Sequence, residues 1–194
     1  MNDARRRILD ASVALVEEQG VRAVSFREVA RRAGVSHQTP YHHFGHHEGI
    51  LHAIAEEGFA GLGEAMEQAV RAAGPAPMDR FSASGVAYVR FAASHPGHFR
   101  VMFQRHLAAA VAPDESAPAN QHVPAMLLEL ATAAHAAGHG AHMDVHTLAL
   151  VCWSAVHGLA NLLVEGGLPL AFERDPQRLA TTVVGALDGL LRVR

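Results

Sequence analysis

Lysine is missing altogether: all 16 basic side chains among the 194 residues are arginine, set against 19 acidic ones. The formal charge of −3 excludes a uniformly basic coat for nucleic acid, though not a local DNA-binding surface. A single cysteine, Cys152, excludes an internal disulfide and any four-cysteine zinc site. No uninterrupted apolar run reaches the roughly 18 residues of a membrane span, so none is expected. The start, Met1-Asn2-Asp3-Ala4-Arg5-Arg6-Arg7, leads into an amphipathic pattern rather than a secretory signal. A soluble cytoplasmic protein of one domain or two small ones is the expectation.

What is present in excess is alanine, at 37 positions, and histidine, at 15. Alanine and arginine carry little helix penalty. Apolar residues recur at helical spacing almost throughout and nowhere alternate with period two, so the chain is expected to be all-α. A first helix over about Arg5–Gln19 buries Ile8, Leu9, Ala11, Leu15 and Val16, and Gly20 stops it. Ser25-Phe26-Arg27-Glu28 reads as a capping box opening a short second helix that ends at Ala33-Gly34. Ser36 is placed to cap a third short helix finishing near Phe44-Gly45. A long helix then runs over about Glu48–Ala73, followed by helices at Asp79–Ser94, Gly97–Leu107, Val123–Ala137, Asp144–Glu165 and Asp175–Arg192. Residues Ala112 to Gln121 read as a mobile loop.

Residues 25–44 have the anatomy of a helix-turn-helix: a capped helix, a tight glycine turn, and a second short helix. A recognition helix offers short polar side chains to base edges while a polar and aromatic fringe grips phosphates. Gln38 can pair with adenine, and Thr39 can meet a thymine methyl or a base acceptor. Arg27 can reach a guanine or the backbone, and Ser36 and Tyr41 suit phosphate. Ser25, His37 and His42 complete the candidate contact set. Residues 1–50 hold seven arginines and six acids, while the remainder holds nine arginines and thirteen acids, so the positive end lies where DNA would.

Helix one, Ser25-Phe26-Arg27-Glu28-Val29-Ala30-Arg31-Arg32-Ala33-Gly34-Val35-Ser36, Tyr41-His42-His43-Phe44 and Glu48-Gly49-Ile50-Leu51, in that order, resemble the tetracycline-repressor (TetR) family. Phe91…His95-Pro96, Phe99…Met102-Phe103 and Trp153…His157-Gly158 resemble the WHG-type ligand-binding domain found in part of that family. The resemblance implies a DNA-binding domain at 1–47 and a helical ligand-binding and dimerisation domain at 48–194, with 48–73 as the linking helix. Two residues depart from the pattern. Pro40 stands where relatives have an aliphatic residue, but in a first turn it costs at most one hydrogen bond. His47 stands where relatives commonly place a lysine against phosphate. A neutral imidazole brings no charge, so operator affinity is expected to rise as the pH falls towards about 6.

A reader this small gains specificity by pairing on a two-fold axis, with recognition helices about 34–36 Å apart. The final helix carries Leu179, Val183, Ala186, Leu187 and Leu190 on one stripe, with Gly185 and Gly189 four apart, so the last two helices are the expected homodimer surface. The helix before it is apolar nearly all round and is expected to be buried on most faces. It also carries Ser154, His157 and Asn161 as a polar stripe, whose partners are a ligand or the dimer seam. Tyr88, Phe91, Met102, Phe103, Met126, Trp153, His157 and Asn161 are the candidate wall of a mostly apolar effector pocket.

The expected function is a dimeric repressor released from a palindromic operator on double-stranded DNA by a small apolar molecule, with no cofactor. An enzyme is not expected. Cys152, His157 and Asn161 are thiol-protease residue types, but on one helix the latter two lie about 140–180° around from the first. The alternative is a metal-responsive regulator using His135, His139, His142 and His146, spaced four, three and four apart. Gly138 and Gly140 interrupt that run.

Overall fold

A computed structural model describes residues 3–104, 118–169 and 171–192. Among these it has nine α-helices and no strand, so the all-α expectation holds. Two compact units emerge. One holds the described residues of Met1–Phe59 and His95–Ala117, the other those of Ala60–Ser94 and Pro118–Arg194.

In the first unit, α1 (Asp3–Gln19) ends at Gly20, whose φ of +83° is open to glycine, and a 3-10 turn follows at Val21–Ala23. Helices α2 (Phe26–Ala33) and α3 (Thr39–Phe44) and the first part of α4 (His47–Ala72) close over α1. Ile8, Leu15, Val16, Val29, Ile50, Leu51 and Ile54 are wholly buried there. Helix α6 (Pro96–Met102) belongs to this unit and lies against α1. A Cβ at Gly97 would stand 2.8 Å from Glu17 Cγ and 2.9 Å from Val13 Cγ1, so only glycine allows that approach. Arg6 joins α1 to α4, its Nη1 donating to Glu57 Oε1 at 2.7 Å.

The second unit is built from the rest of α4 with α5 (Pro77–Ser94), α7 (Pro118–Ala136), α8 (Val145–Val164) and α9 (Pro176–Leu191). Helix α5 is its centre, packed by α7, α8 and α9. Asp144 and Asp175, where the sequence places two helix starts, cap α8 and α9. Asp144 Oδ1 accepts from the His146 and Thr147 amides at 3.0 Å each, and Asp175 Oδ1 from the Arg178 amide at 2.8 Å.

Three expectations need correction. Helix α7 begins at Pro118 rather than near Val123. Pro118 suits a first helical position, and Pro124 inside the helix removes one ladder bond without breaking it. The helix expected over Gly97–Leu107 ends at Met102, with Phe103 at its C-cap, and residues 118–121 of the expected Ala112–Gln121 loop are helical, the rest of that loop lying outside the described residues. Helix α8 was expected to be buried on most faces and no span was expected. Yet its 20 residues, with mean hydropathy 1.7, are long and apolar enough to cross a membrane by composition alone, and only 39% of its most apolar window is buried. Leu148, Cys152, Val156, Leu159 and Ala160 face the unit's core, whereas Leu150, Val151 and Leu162 are exposed. Apolarity in the sequence cannot distinguish a face that meets this chain from a face left open.

Candidate nucleic-acid interface

Helix α2 starts from half of the capping box. Ser25, extended at φ −134° and ψ 147°, accepts from the Glu28 amide at 3.3 Å. The Glu28 carboxylate does not return the bond. It accepts from Arg31 Nε at 2.9 Å, Arg31 Nη2 at 2.5 Å and Arg32 Nε at 2.9 Å. Charge-assisted bonds outcompete a neutral amide here, and they hold the Glu28 carboxyl down from its ordinary 4.5 to about 2. A depressed carboxylate stabilises the fold above its unfolded value and loses that contribution as the pH falls through the folded one. Thermal midpoints of the wild type and Glu28→Gln should therefore differ near neutral pH and converge as the pH falls from about 4.5 towards 2. A constant gap across that window would show that the carboxylate's charge is irrelevant.

Pairing with Glu28 and Glu18 occupies Arg31 and Arg32. Arg27 and Arg22 are exposed and have no ionic partner among the described residues. Arg27 therefore presents an uncommitted guanidinium next to the cap.

The turn to α3 departs from the expected Ser36 cap. Gly34, at φ +62°, closes α2 by donating to the Ala30 and Arg31 carbonyls. Helix α3 begins only at Thr39, with Gln38 at its cap position, Pro40 in its first turn and no side-chain cap bond. Ser36 lies one turn earlier, its hydroxyl 2.8 Å from that of Thr39. Pro40 is wholly buried, and with its fixed φ it starts the helix from inside the unit. His37, Gln38 and His42 are exposed and Thr39 is half-buried. Tyr41 is 54% exposed, its ring edge-on to Phe26 with centroids 4.3 Å apart and planes at 86°. Arg27, His37, Gln38, Tyr41 and His42 are thus all exposed, while Phe26 and Pro40 beside them are buried.

The joint between α3 and α4 is tight. Gly45, at φ +70°, donates to the Tyr41 carbonyl at 2.9 Å, and the His46 amide donates to the Phe44 carbonyl at 2.7 Å. His46 Nδ1 accepts from the Gly49 amide at 3.2 Å. A Cβ at Gly49 would stand 2.1 Å from the Phe44 carbonyl oxygen. His47 Nε2 lies 2.7 Å from the Val24 carbonyl oxygen. Gly49 was legible only as a motif letter, because its partner is backbone from the preceding helix. The guanidinium of Arg5 sits 5.2 Å over the Phe44 ring, a contact nothing local announces.

Residues 81–187, more than half of the chain, match the family model described as tetracyclin repressor-like, C-terminal domain. Residues 8–54 match that of bacterial regulatory proteins of the tetR family. The chain belongs to the tetracycline-repressor family. Over 81 residues, 41% of this chain and 38% of the relative, it is 37% identical to the HTH-type transcriptional regulator BetI of Rhizobium meliloti. Over 68 residues, 35% of this chain and 36% of the relative, it is 32% identical to the uncharacterized HTH-type transcriptional regulator YvkB of Bacillus subtilis. The chain thus spans little more than a third of the length of the curated relatives it matches. A solved structure of a protein of unknown function from Rhodococcus sp. RHA1 matches with TM-score 0.77 at 32% identity, covering 98% of this chain and 96% of that one. The family and the curated relatives are transcriptional regulators that bind DNA, not enzymes. The helix-turn-helix lies within the residues 8–54 that match the tetR-family model.

The eight candidate effector residues divide between the units. Met102 is buried in the first, against Gly58, and Phe103 packs there on Phe59 and Phe99 with centroids 5.6 and 5.2 Å apart. The other six lie in the second unit. The Tyr88 hydroxyl is 2.8 Å from His157 Nδ1, and the Trp153 ring stacks on the His157 ring at 5.1 Å and 29°. Burial pushes the Tyr88 phenol well above and the His157 imidazole below their ordinary values, so both are neutral at physiological pH. Phe91 is buried beside Gly61, and Met126 packs against the cluster of Met78, Phe81, Leu130 and Leu148. Asn161 is exposed and donates to the His157 carbonyl of its own helix at 2.8 Å, and Ser154 is exposed too.

Among the described residues no three metal-ligating groups converge. His135 Nε2 donates to the Met143 carbonyl at 2.9 Å, while His139 Nδ1 is 3.8 Å from Asp188. The metal-responsive alternative gains no support. Burial pushes the Cys152 thiol up to about 11, which leaves it unreactive.

Proposed function

We propose that this transcriptional regulator is a cytoplasmic homodimeric repressor that reads two halves of a palindromic operator and is released by a small, mostly apolar effector. The observation carrying the reading is an open face on α8 and α9. Leu150 of α8 is 58% and Leu190 of α9 68% exposed, and Val151 and Leu162 of α8 are exposed as well. Gly158, Gly185 and Gly189 have open space where a Cβ would stand. Mid-helix glycine costs about 1 kcal/mol relative to alanine and gains nothing inside this subunit, so its use is the close approach of a second copy.

Two-fold pairing presents two α3 surfaces to successive major grooves. Gln38 and Arg27 would read bases, with Ser25, Ser36, Thr39, Tyr41, His37 and His42 in the candidate contact set. The neutral Tyr88–His157–Trp153 group, which offers hydrogen bonds without charge, supports an effector that is apolar with an uncharged polar group. Release requires that the effector bind one arrangement of the dimer better than another.

Selection of bound duplexes from a random pool tests the reading. An imperfect palindrome with half-sites about one helical turn apart is expected, and a bound sequence without two-fold symmetry would overturn it. On the selected site, Arg27→Ala and Gln38→Ala should each cost about 1–3 kcal/mol, roughly five- to 150-fold in affinity, and relax one base position.

A further inference from the structure

A carbonyl oxygen has no hydrogen to give, so the 2.7 Å contact between His47 and Val24 requires that the imidazole donate from Nε2. A neutral imidazole has only one N–H. In its neutral form His47 has therefore committed its donor inside the protein and has none left for a phosphate oxygen.

The placement of this bond says what it does. Val24 is buried and immediately precedes Ser25, the cap of α2. His47 is the first residue of α4. The chain between them, residues 25–46, contains α2, the turn and α3, and every other candidate operator contact. We propose that His47 is a positioning residue for DNA reading: its Nε2–H clamps the start of α4 to the entrance of α2 and so fixes where α3 is presented. Helix α3 is only six residues long and has no side-chain cap, so its own hydrogen bonds cannot fix its position. The Gly49–Phe44 approach sets its C-terminal end on α4, and the His47 bond ties that corner back to α2. The arginine-only, histidine-rich reader has thus replaced a phosphate-binding cation with an internal strut.

The inference rests on residues 25–47 forming the reader, and Arg27→Ala is the control for that premise. It should lose operator affinity with the His47 signal unchanged.

Nitrogen-15 NMR of histidine-labelled full-length protein near neutral pH should show His47 as the Nε2–H tautomer with a slowly exchanging proton. An Nδ1–H tautomer would overturn the clamp, and this measurement needs no variant. On the selected operator, His47→Leu should bind at least tenfold more weakly, whereas His47→Gln, which keeps an amide donor at similar reach, should stay within about threefold of wild type. The salt dependence of His47→Gln should match that of wild type. If His47→Gln is as weak as His47→Leu, His47 contacts the operator itself and the clamp fails; a log K against log salt slope shallower by about one would mark that contact as a charged one to phosphate. Wild-type binding by His47→Leu would equally overturn the clamp.

Discussion

Gly49→Ala is expected to abolish operator binding and to destabilise the N-terminal unit, although it adds a single methyl group. In an isolated helix the change would be favourable by about 0.5–1 kcal/mol. Here the new Cβ falls 2.1 Å from the Phe44 carbonyl oxygen and 3.1 Å from its carbon. Both atoms are backbone, so no rotamer change relieves the clash. The Phe44 carbonyl already accepts from the His46 amide at 2.7 Å, and Gly45 beside it turns the chain at φ +70°. The corner yields only by moving α3 relative to α4. Overpacking of this kind costs about 1–3 kcal/mol, and the displaced helix is the one proposed to enter the groove. Urea denaturation and fluorescence anisotropy with the selected duplex should show a lower midpoint and an affinity loss above a hundredfold. Wild-type stability and binding in Gly49→Ala would mean that the corner is pliant.

Gly185→Leu should have the second large effect, and its signature is a split between subunit and assembly. Within the subunit a side chain at 185 meets nothing, and leucine is a better helix former than glycine, so secondary structure should be retained or gain slightly. If α8 and α9 form the dimer seam, a leucine there holds the two copies apart and strands Leu150 and Leu190 in water. Sedimentation at micromolar concentration should then report a monomer, and affinity for the full palindrome should fall by at least a hundredfold while a single half-site is bound as before. A variant that remains dimeric would remove the face from α9. Leu190→Glu offers an independent test, since it replaces a 68% exposed apolar side chain with a charge and adds no bulk.

These two glycines show why some of the molecule is legible in sequence and some is not. The glycines at 49 and 185 both stand in helices and both look like weak points. Only three-dimensional proximity shows that one touches the neighbouring backbone and the other touches nothing. The helix starts at Asp144 and Asp175 could be placed from the sequence because cap and recipient amides lie within three residues. The Ser25–Glu28 box was read half correctly, since the cap is local while the carboxylate's choice depended on Arg31 and Arg32. Ser36 was misread as a cap because a turn and a first helical turn look alike when neither has a strong competitor. For His47, no sequence rule could place Val24, 23 positions away, within 2.7 Å.

The sequence by itself determined the all-α class, the order and approximate limits of most helices, the helix-turn-helix and the family. Each of these rests on periodicity, capping or ordered motifs, and those signals act over a few residues. Tertiary structure alone decided which face of α8 stays open, that α6 packs against α1, which arginines of the reader are free, and that His47 spends its one hydrogen on the fold. Those outcomes depend on which distant groups compete for the same donor or the same apolar face, and that competition is settled only when the chain is packed.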